Sequence, residues 1–188
     1  MNVDSKLLQA CIRKDRSAQY ELYRLSYGFM MGICMRYAKD KDEAASLMNE
    51  GFLKMLTGLE KYKTDIPFEL WIRRILINTS IDQYRKNKKL KEVIEYKDMS
   101  EQGAGTESVL NLAVLKMDIE QLHQFIARLP EVSKRVFNLY IIDGYSHTEI
   151  ANLLNISVGT SKWHVSTSRQ KLQEMILNVS QSSKRKIA

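Results

Sequence analysis

Little in this 188-residue chain would interrupt a helix: it holds two prolines, Pro67 and Pro130, and eight glycines. Interior proline removes a hydrogen bond and clashes with the preceding turn, so its scarcity leaves room for long helices. No β-alternating run of useful length occurs, and no glycine-rich phosphate loop follows a strand pattern. Cysteine is equally scarce. Cys11 and Cys34 are too few for a disulfide framework, and His123, His147 and His164 do not fall at ligand spacing to them, so neither a metal nor another cofactor is expected. Both thiols read as reduced and packed. No apolar run is long enough for a signal peptide or a bilayer span, so the expectation is a cytoplasmic protein with no membrane insertion.

What the chain does have is positive charge, unevenly placed. Residues 1–91 carry 18 Lys/Arg against 11 Asp/Glu, residues 92–120 carry 2 against 7, and residues 121–188 carry 9 against 4. Two basic lobes flank an acidic connector. Basic surfaces attract nucleic acid or anionic membrane, so a polyanionic partner for both lobes is the physical reading.

Apolar residues recur at three- and four-residue spacing over long stretches, which predicts an all-α chain. The first helix is expected over Ala18 to Tyr37, with Tyr20, Leu22, Tyr23, Tyr27, Met30, Met31, Cys34 and Tyr37 inward. A second is expected over Asp42 to Leu59, with Ala44, Leu47, Met48, Gly51, Phe52, Met55 and Leu56 inward. Pro67 suits the first turn of a third, where its missing N–H costs nothing; Phe68, Trp71, Ile72, Ile75, Leu76 and Thr79 form its inward side. From Glu92 the pattern dissolves into EVIEYKDMSEQGAGTES, read as a flexible linker over 92–117. The lobes are then 1–91 and 118–180, with a basic tail over 181–188.

In the second lobe, MDIEQLHQFIARL ends before Pro130, a helix covers Val132 to Ile142, and Asp143-Gly144 stops it. Then comes EIANLLNISVGTSKWH. Ile150, Ala151, Leu153 and Leu154 face inward, Asn155 suits a left-handed turn, Ile156 returns to the core and Ser157 caps the next helix. This order places a second helix in a DNA major groove. Val158, Ser161, Val165, Ser168, Leu172 and Met175 form its inward stripe, leaving Thr160, Trp163, His164, Thr167 and Lys171 outward with Lys162 and Arg169 flanking.

The combination of SIDQYRKNKK after a Trp-containing helix, LPEVSKRVFNLYIIDGYSHTEIANLLNISVGTSKWH, and SRQKL resembles the extracytoplasmic-function (ECF) subgroup of the sigma-70 family of bacterial RNA polymerase sigma factors. The resemblance covers about Ala18 to Lys89 and Ile119 to Ile176. It implies two small helical domains, region 2 and region 4, with RNA polymerase core, promoter DNA and an anti-sigma protein as partners and no catalytic chemistry. Region 2 would dock on the polymerase clamp through Leu47, Asn49, Glu50 and Phe52, where Ser46-Leu47-Met48-Asn49-Glu50-Gly51-Phe52 stands for the family's Asp-Leu-x-Gln-Glu-x-Phe. Lys61, Lys63, Trp71, Arg74, Asn78, Asp82, Arg85 and Lys86 would open and hold the minus-ten element, with a loop pocket at about Lys61 to Ile66. Trp71 is either core or contact. Region 4 would dock on the polymerase flap and read the minus-thirty-five element through Ser157, Thr160, Lys162, Trp163, His164, Thr167 and Arg169. His164 is either a base-edge donor or a plain surface residue. A stand-alone helix-turn-helix regulator is the alternative. A recombinase would need a nucleophilic Ser or Tyr among arginines in an α/β domain, a pattern the first lobe lacks.

Overall fold

The structure, a computed structural model, describes residues 3–90 and 119–185, and every regular element among them is a helix. By contacts the chain divides into two compact units, Met1–Val93 and Ile94–Ala188. The expected linker lies outside the described residues, as do 186–188 of the expected tail.

In the first unit α1 spans Ser5–Ile12, α2 Arg16–Tyr37, α3 Lys41–Gly58 and α4 Phe68–Leu90, with a 3-10 turn at Leu59–Lys61 before α4. Asp4, Asp15 and Asp40 cap the first three, each carboxylate accepting backbone N–H groups of the first turn. Helix α1 was not anticipated. Its signals are short: one capping aspartate and the pair Leu8 and Cys11, both buried.

Helices α2, α3 and α4 share one core. Leu22, Met30 and Tyr37 meet Ala44, Leu47, Met48 and Met55, and Ile72, Leu76, Ile77 and Ile81 close it from α4. Each buried Leu, Ile or Met among them contributes roughly 1.5–3 kcal/mol on leaving water. Gly51 lies at the contact of α3 with α4, where a Cβ would overlap Leu76 Cδ2. Two expected inward residues, Tyr20 and Tyr27, are exposed instead. The buried series of α2 runs Ala18, Leu22, Ser26, Met30, at intervals of four that pass the tyrosines by. Ser26 occupies a core position because its hydroxyl donates to the Leu22 carbonyl at 2.7 Å. Ser80 does the same in α4, donating to Ile77 at 2.7 Å. Both cysteines are free and buried, and burial pushes the Cys34 thiol up to about 12, so it stays protonated.

In the second unit α5 spans Ile119–Ala127, α6 Glu131–Phe137, α7 His147–Leu154 and α8 Val158–Arg185. Phe125, Ile126, Leu129 and Phe137 pack with Leu172 and Ile176 of α8. The helix expected to run regularly to Ile142 widens into a π-helical turn at Asn138–Ile142, and Asp143 N–H donates to the Asn138 carbonyl at 3.0 Å. Gly144 at φ 75° makes the stop. A capping box then opens α7: Glu149 N–H donates to Ser146 Oγ at 3.2 Å and Ser146 N–H to Glu149 Oε2 at 2.8 Å.

Asn155 ends α7 at φ 53°, ψ 56°, in the left-handed conformation expected of it. Its N–H and that of Ile156 both donate to the Ala151 carbonyl, and this aims α8. A β-branched side chain at that φ clashes with its own backbone. Asn155→Val is therefore expected to cost about 1–2 kcal/mol, whereas Asn155→Gly stays near wild type. Thermal unfolding of the full chain checks the pair; equal midpoints for the two variants would refute the backbone account.

Candidate partner and nucleic-acid interfaces

The expected polymerase-docking residues separate on folding. Asn49 and Glu50 are exposed on α3 and Phe52 is half-buried, but Leu47 is 3% exposed and belongs to the core. Helical spacing explains the correction: 44, 47, 48, 51 and 55 form the inward stripe, and 49, 50 and 53 fall outside it. Leu47 therefore positions the helix and has no surface to offer. Tyr23 of α2 completes this face. Its hydroxyl donates to Asn49 Oδ1 at 3.3 Å, and its ring meets Phe52 edge-on at 5.1 Å and Tyr27 at 5.8 Å. Exposed Leu53 continues the apolar surface beyond Phe52. Nothing in sequence spacing connects residues 23 and 49; only the packing of α2 on α3 does.

Lys54 Nζ lies 2.9 Å from Glu50 Oε1 and 3.8 Å from Asp82 Oδ2, linking α3 to α4 at the surface. All three groups are substantially exposed, so these pairs orient side chains and contribute at most about 1 kcal/mol each.

On α4, Arg74, Asn78, Asp82, Arg85 and Lys86 are all exposed, opposite the buried Ile72, Leu76, Ile77, Ser80 and Ile81. Lys61 and Lys63 are exposed on the preceding loop. Trp71 is half-buried. Its ring stacks on Phe68 at 5.7 Å and lies 5.0 Å from Tyr62. Gly58 lies against its other edge, where a Cβ would stand 3.5 Å from Trp71 Cζ2. The three aromatics thus satisfy one another, at roughly 0.5–1.5 kcal/mol per pair beyond burial.

The helix-turn-helix holds the largest correction. His164, expected outward, is 7% exposed, and its Nδ1 shares a 2.9 Å hydrogen bond with Ser133 Oγ of α6. Positions 161, 164, 165, 168 and 172 are the true inward stripe of α8. Val158, expected at its head, is exposed, and Met175 is half-buried beside Ile176. A histidine reads as polar and outward until a partner hydroxyl on another helix is known. Ser168 Oγ donates to the Ser133 carbonyl at 3.4 Å, so one serine of α6 is held from two turns of α8. Burial alone pushes the His164 pKa down.

Ser157 caps α8, its hydroxyl accepting from Thr160 N–H at 2.9 Å and meeting Thr160 Oγ1 at 2.8 Å. Thr160, Trp163 and Thr167 are half-buried; Lys162 and Arg169 are exposed. Trp163 leans edge-on against His164 at 4.9 Å. His147, at the head of α7, belongs to the same surface and was not anticipated. Its ring stacks flat on Tyr140 at 4.2 Å and 15°, and its Nδ1 meets Ser161 Oγ at 3.0 Å. Burial, then the charges of Lys162 and Arg169, lower its pKa.

Residues 22–90 match the family description Sigma-70 region 2, and residues 119–172 match Sigma-70, region 4. One match falls in each unit, in that order. The chain belongs to the ECF subgroup of the sigma-70 family. An ECF sigma factor is a transcription initiation factor that directs core RNA polymerase to promoters, and that is the function of this chain. Among similar proteins, the RNA polymerase sigma-H factor of Pseudomonas aeruginosa is 25% identical over 181 residues, covering 92% of this chain and 93% of that one. The ECF RNA polymerase sigma factor SigW of Bacillus subtilis is 27% identical over 157 residues, covering 77% and 81%. A solved structure of the sigma factor RpoE with the anti-sigma factor NepR from Bartonella quintana is similar over 85% of this chain and 96% of that one, with TM-score 0.49 and 19% identity. No helix among the described residues is long and apolar enough to cross a membrane.

Proposed function

We propose a division of labour within this ECF sigma factor. Asn49, Glu50 and Phe52, braced by Tyr23, dock on the polymerase clamp. Lys61, Lys63, Trp71, Arg74, Asn78, Asp82, Arg85 and Lys86 open and hold the minus-ten element. Thr160, Lys162, Trp163, Thr167 and Arg169 face the minus-thirty-five duplex, with Ser157 ordering the start of their helix. The observation that carries this reading is the presence of both sigma regions, in order, one in each unit.

Electrostatics and shape support the assignments. Melted DNA needs cations along its backbone and aromatic surfaces against its bases, and the α4 face with its preceding loop offers both. Region 4 presents a capped helix whose first N–H groups suit a phosphate, flanked by exposed Lys162 and Arg169. The protein lends specificity and performs no chemistry of its own, acts in the cytoplasm where the polymerase works, and is held inactive by an anti-sigma protein until released.

The test is promoter-directed run-off transcription with purified core polymerase. Asn78→Ala and Arg85→Ala are each expected to lower open-complex formation roughly tenfold, the effect of losing about 1.4 kcal/mol, while leaving core binding intact. Equal loss of opening and core binding would show that the DNA face is misplaced. Failure to join core polymerase, with tight duplex binding alone, would favour a stand-alone regulator.

A further inference from the structure

The loop between α3 and α4 carries a clasp whose two ends belong to one side chain. Tyr62 leaves the 3-10 turn in an extended conformation, its N–H donating to the Leu59 carbonyl at 3.1 Å. Its hydroxyl then reaches across and donates to the Ile66 carbonyl at 2.7 Å. Inside that span, Ile66 N–H donates to the Lys63 carbonyl at 3.3 Å and closes a tight turn. The ring is gripped as firmly as the hydroxyl: Phe68 meets it edge-on at 5.2 Å, and Trp71 lies at 5.0 Å. Immediately beyond, the Pro67 carbonyl accepts from Leu70 and Trp71 N–H groups and seeds α4.

The consequence is a short rigid turn whose own side chains are all free to meet a ligand. Lys63, Thr64, Asp65 and Ile66 are exposed. An exposed four-residue turn of this composition would sample many shapes if it were not tied. Apart from the Lys63–Ile66 backbone bond inside the turn, the ties described here run through Tyr62. A phenylalanine there would keep the ring contacts and drop the hydroxyl bridge to Ile66.

We infer that Tyr62 is a positioning residue for base selection: its hydroxyl holds the 63–66 turn in the shape that discriminates one unstacked base of the minus-ten element. The inference rests on the proposed assignment of this loop to single-stranded promoter DNA. A base lifted from the stack is recognised by edges and pockets, which demand fixed geometry, whereas backbone attraction by Lys61 and Lys63 does not. Loosening the turn therefore lowers selectivity more than it lowers binding.

The experiment compares wild type with Tyr62→Phe, Tyr62→Leu, Lys63→Ala and Asp65→Ala, each as full chain with core polymerase. Promoter opening is measured on a template set in which every base of the minus-ten element is varied in turn, and core binding is measured by co-purification. Tyr62→Phe is expected to keep core binding and to reduce discrimination roughly fivefold at one or two adjacent positions, about what one neutral hydrogen bond contributes. Tyr62→Leu, which also loses the aromatic grip, reduces it further at the same positions. A merely structural role would instead lower opening on every template alike, in step with core binding, and that result overturns the inference. An unchanged profile for Tyr62→Phe, with altered profiles for Lys63→Ala and Asp65→Ala, also overturns it while leaving the loop assignment standing. Unchanged profiles for all four variants remove the loop assignment, and the inference with it.

Discussion

Gly51→Val is expected to lower the thermal midpoint of the first unit by roughly 10 °C and to weaken polymerase binding with it. Glycine lies here at the crossing of α3 and α4, and any Cβ overlaps Leu76 Cδ2. Leu76 is itself 2% exposed, so it has nowhere to swing without disturbing the core. Two effects oppose each other. Replacing a mid-helix glycine gains about 0.5–1 kcal/mol of backbone entropy, while forcing branched carbons into a packed crossing costs about 1–3 kcal/mol and sometimes more. Valine adds two methyls to an overlap that one carbon already creates, so the cost wins by about 2 kcal/mol. In the proposed docking role, functional loss follows from position: Asn49, Glu50 and Phe52 flank residue 51, and displacing α3 moves all three. Adding Leu76→Ala to the valine variant makes room at the crossing and is expected to recover part of the stability. If the double variant melts below Gly51→Val alone, the crowding account is wrong.

The second large effect is acid lability of the helix-turn-helix unit. His164 is buried against Ser133, and His147 is stacked on Tyr140 with Lys162 and Arg169 near enough to matter. Both folded-state pKa values lie below the ordinary value of 6.5. As pH falls past that value the unfolded chain takes up protons first, so stability is fully present above about pH 6.5 and is lost as pH drops through the folded values. The limiting slope for one group is about 1.4 kcal/mol per pH unit. His164 is lowered by its burial alone, so it titrates with the packing against Ser133. His147 is better hydrated and adds less. His164→Gln keeps a side chain able to meet Ser133 but removes the titration. Unfolding of the second unit followed from pH 7.5 to 5.0, above most carboxylate titration, is expected to show a steep fall for wild type and a shallower one for the variant. Parallel curves would place the acid sensitivity elsewhere.

Helix identity was legible wherever amphipathic spacing ran for many residues. Helices α2, α3, α4, α7 and α8 begin within a few residues of where spacing and caps put them, because apolar periodicity and capping are local. Local rules also read the Asn155 turn and the Ser157 cap. What escaped was decided by hydrogen bonds that polar side chains make, either back onto their own helix or to a distant one. Ser26 and Ser80 are inward since their hydroxyls close on their own helices, and His164 is inward since Ser133 waits on α6. In each case a polar residue lies where polarity alone would have put it outside. Leu47 is inward by the helical phase read from the sequence, and only the family's motif placed it among interface residues as well. Tyr23 and Tyr62 carry no motif, and their importance emerges only from the hydroxyl each extends to a neighbouring segment.

Helix α4 has one more property with a physical consequence. It runs from Phe68 to Leu90 with neither glycine nor proline, and its inner side is anchored to the core at Ile72, Leu76, Ile77 and Ile81. From Arg74 to Lys86 the exposed row advances about 18 Å along the axis at 1.5 Å per residue. A strand stacked at about 3.4 Å per phosphate would cover the row in about five steps, and an unstacked, extended one in fewer. In the proposed role this helix acts as a ruler: a rod pinned along its length can neither stretch to a longer melted segment nor shrink to a shorter one.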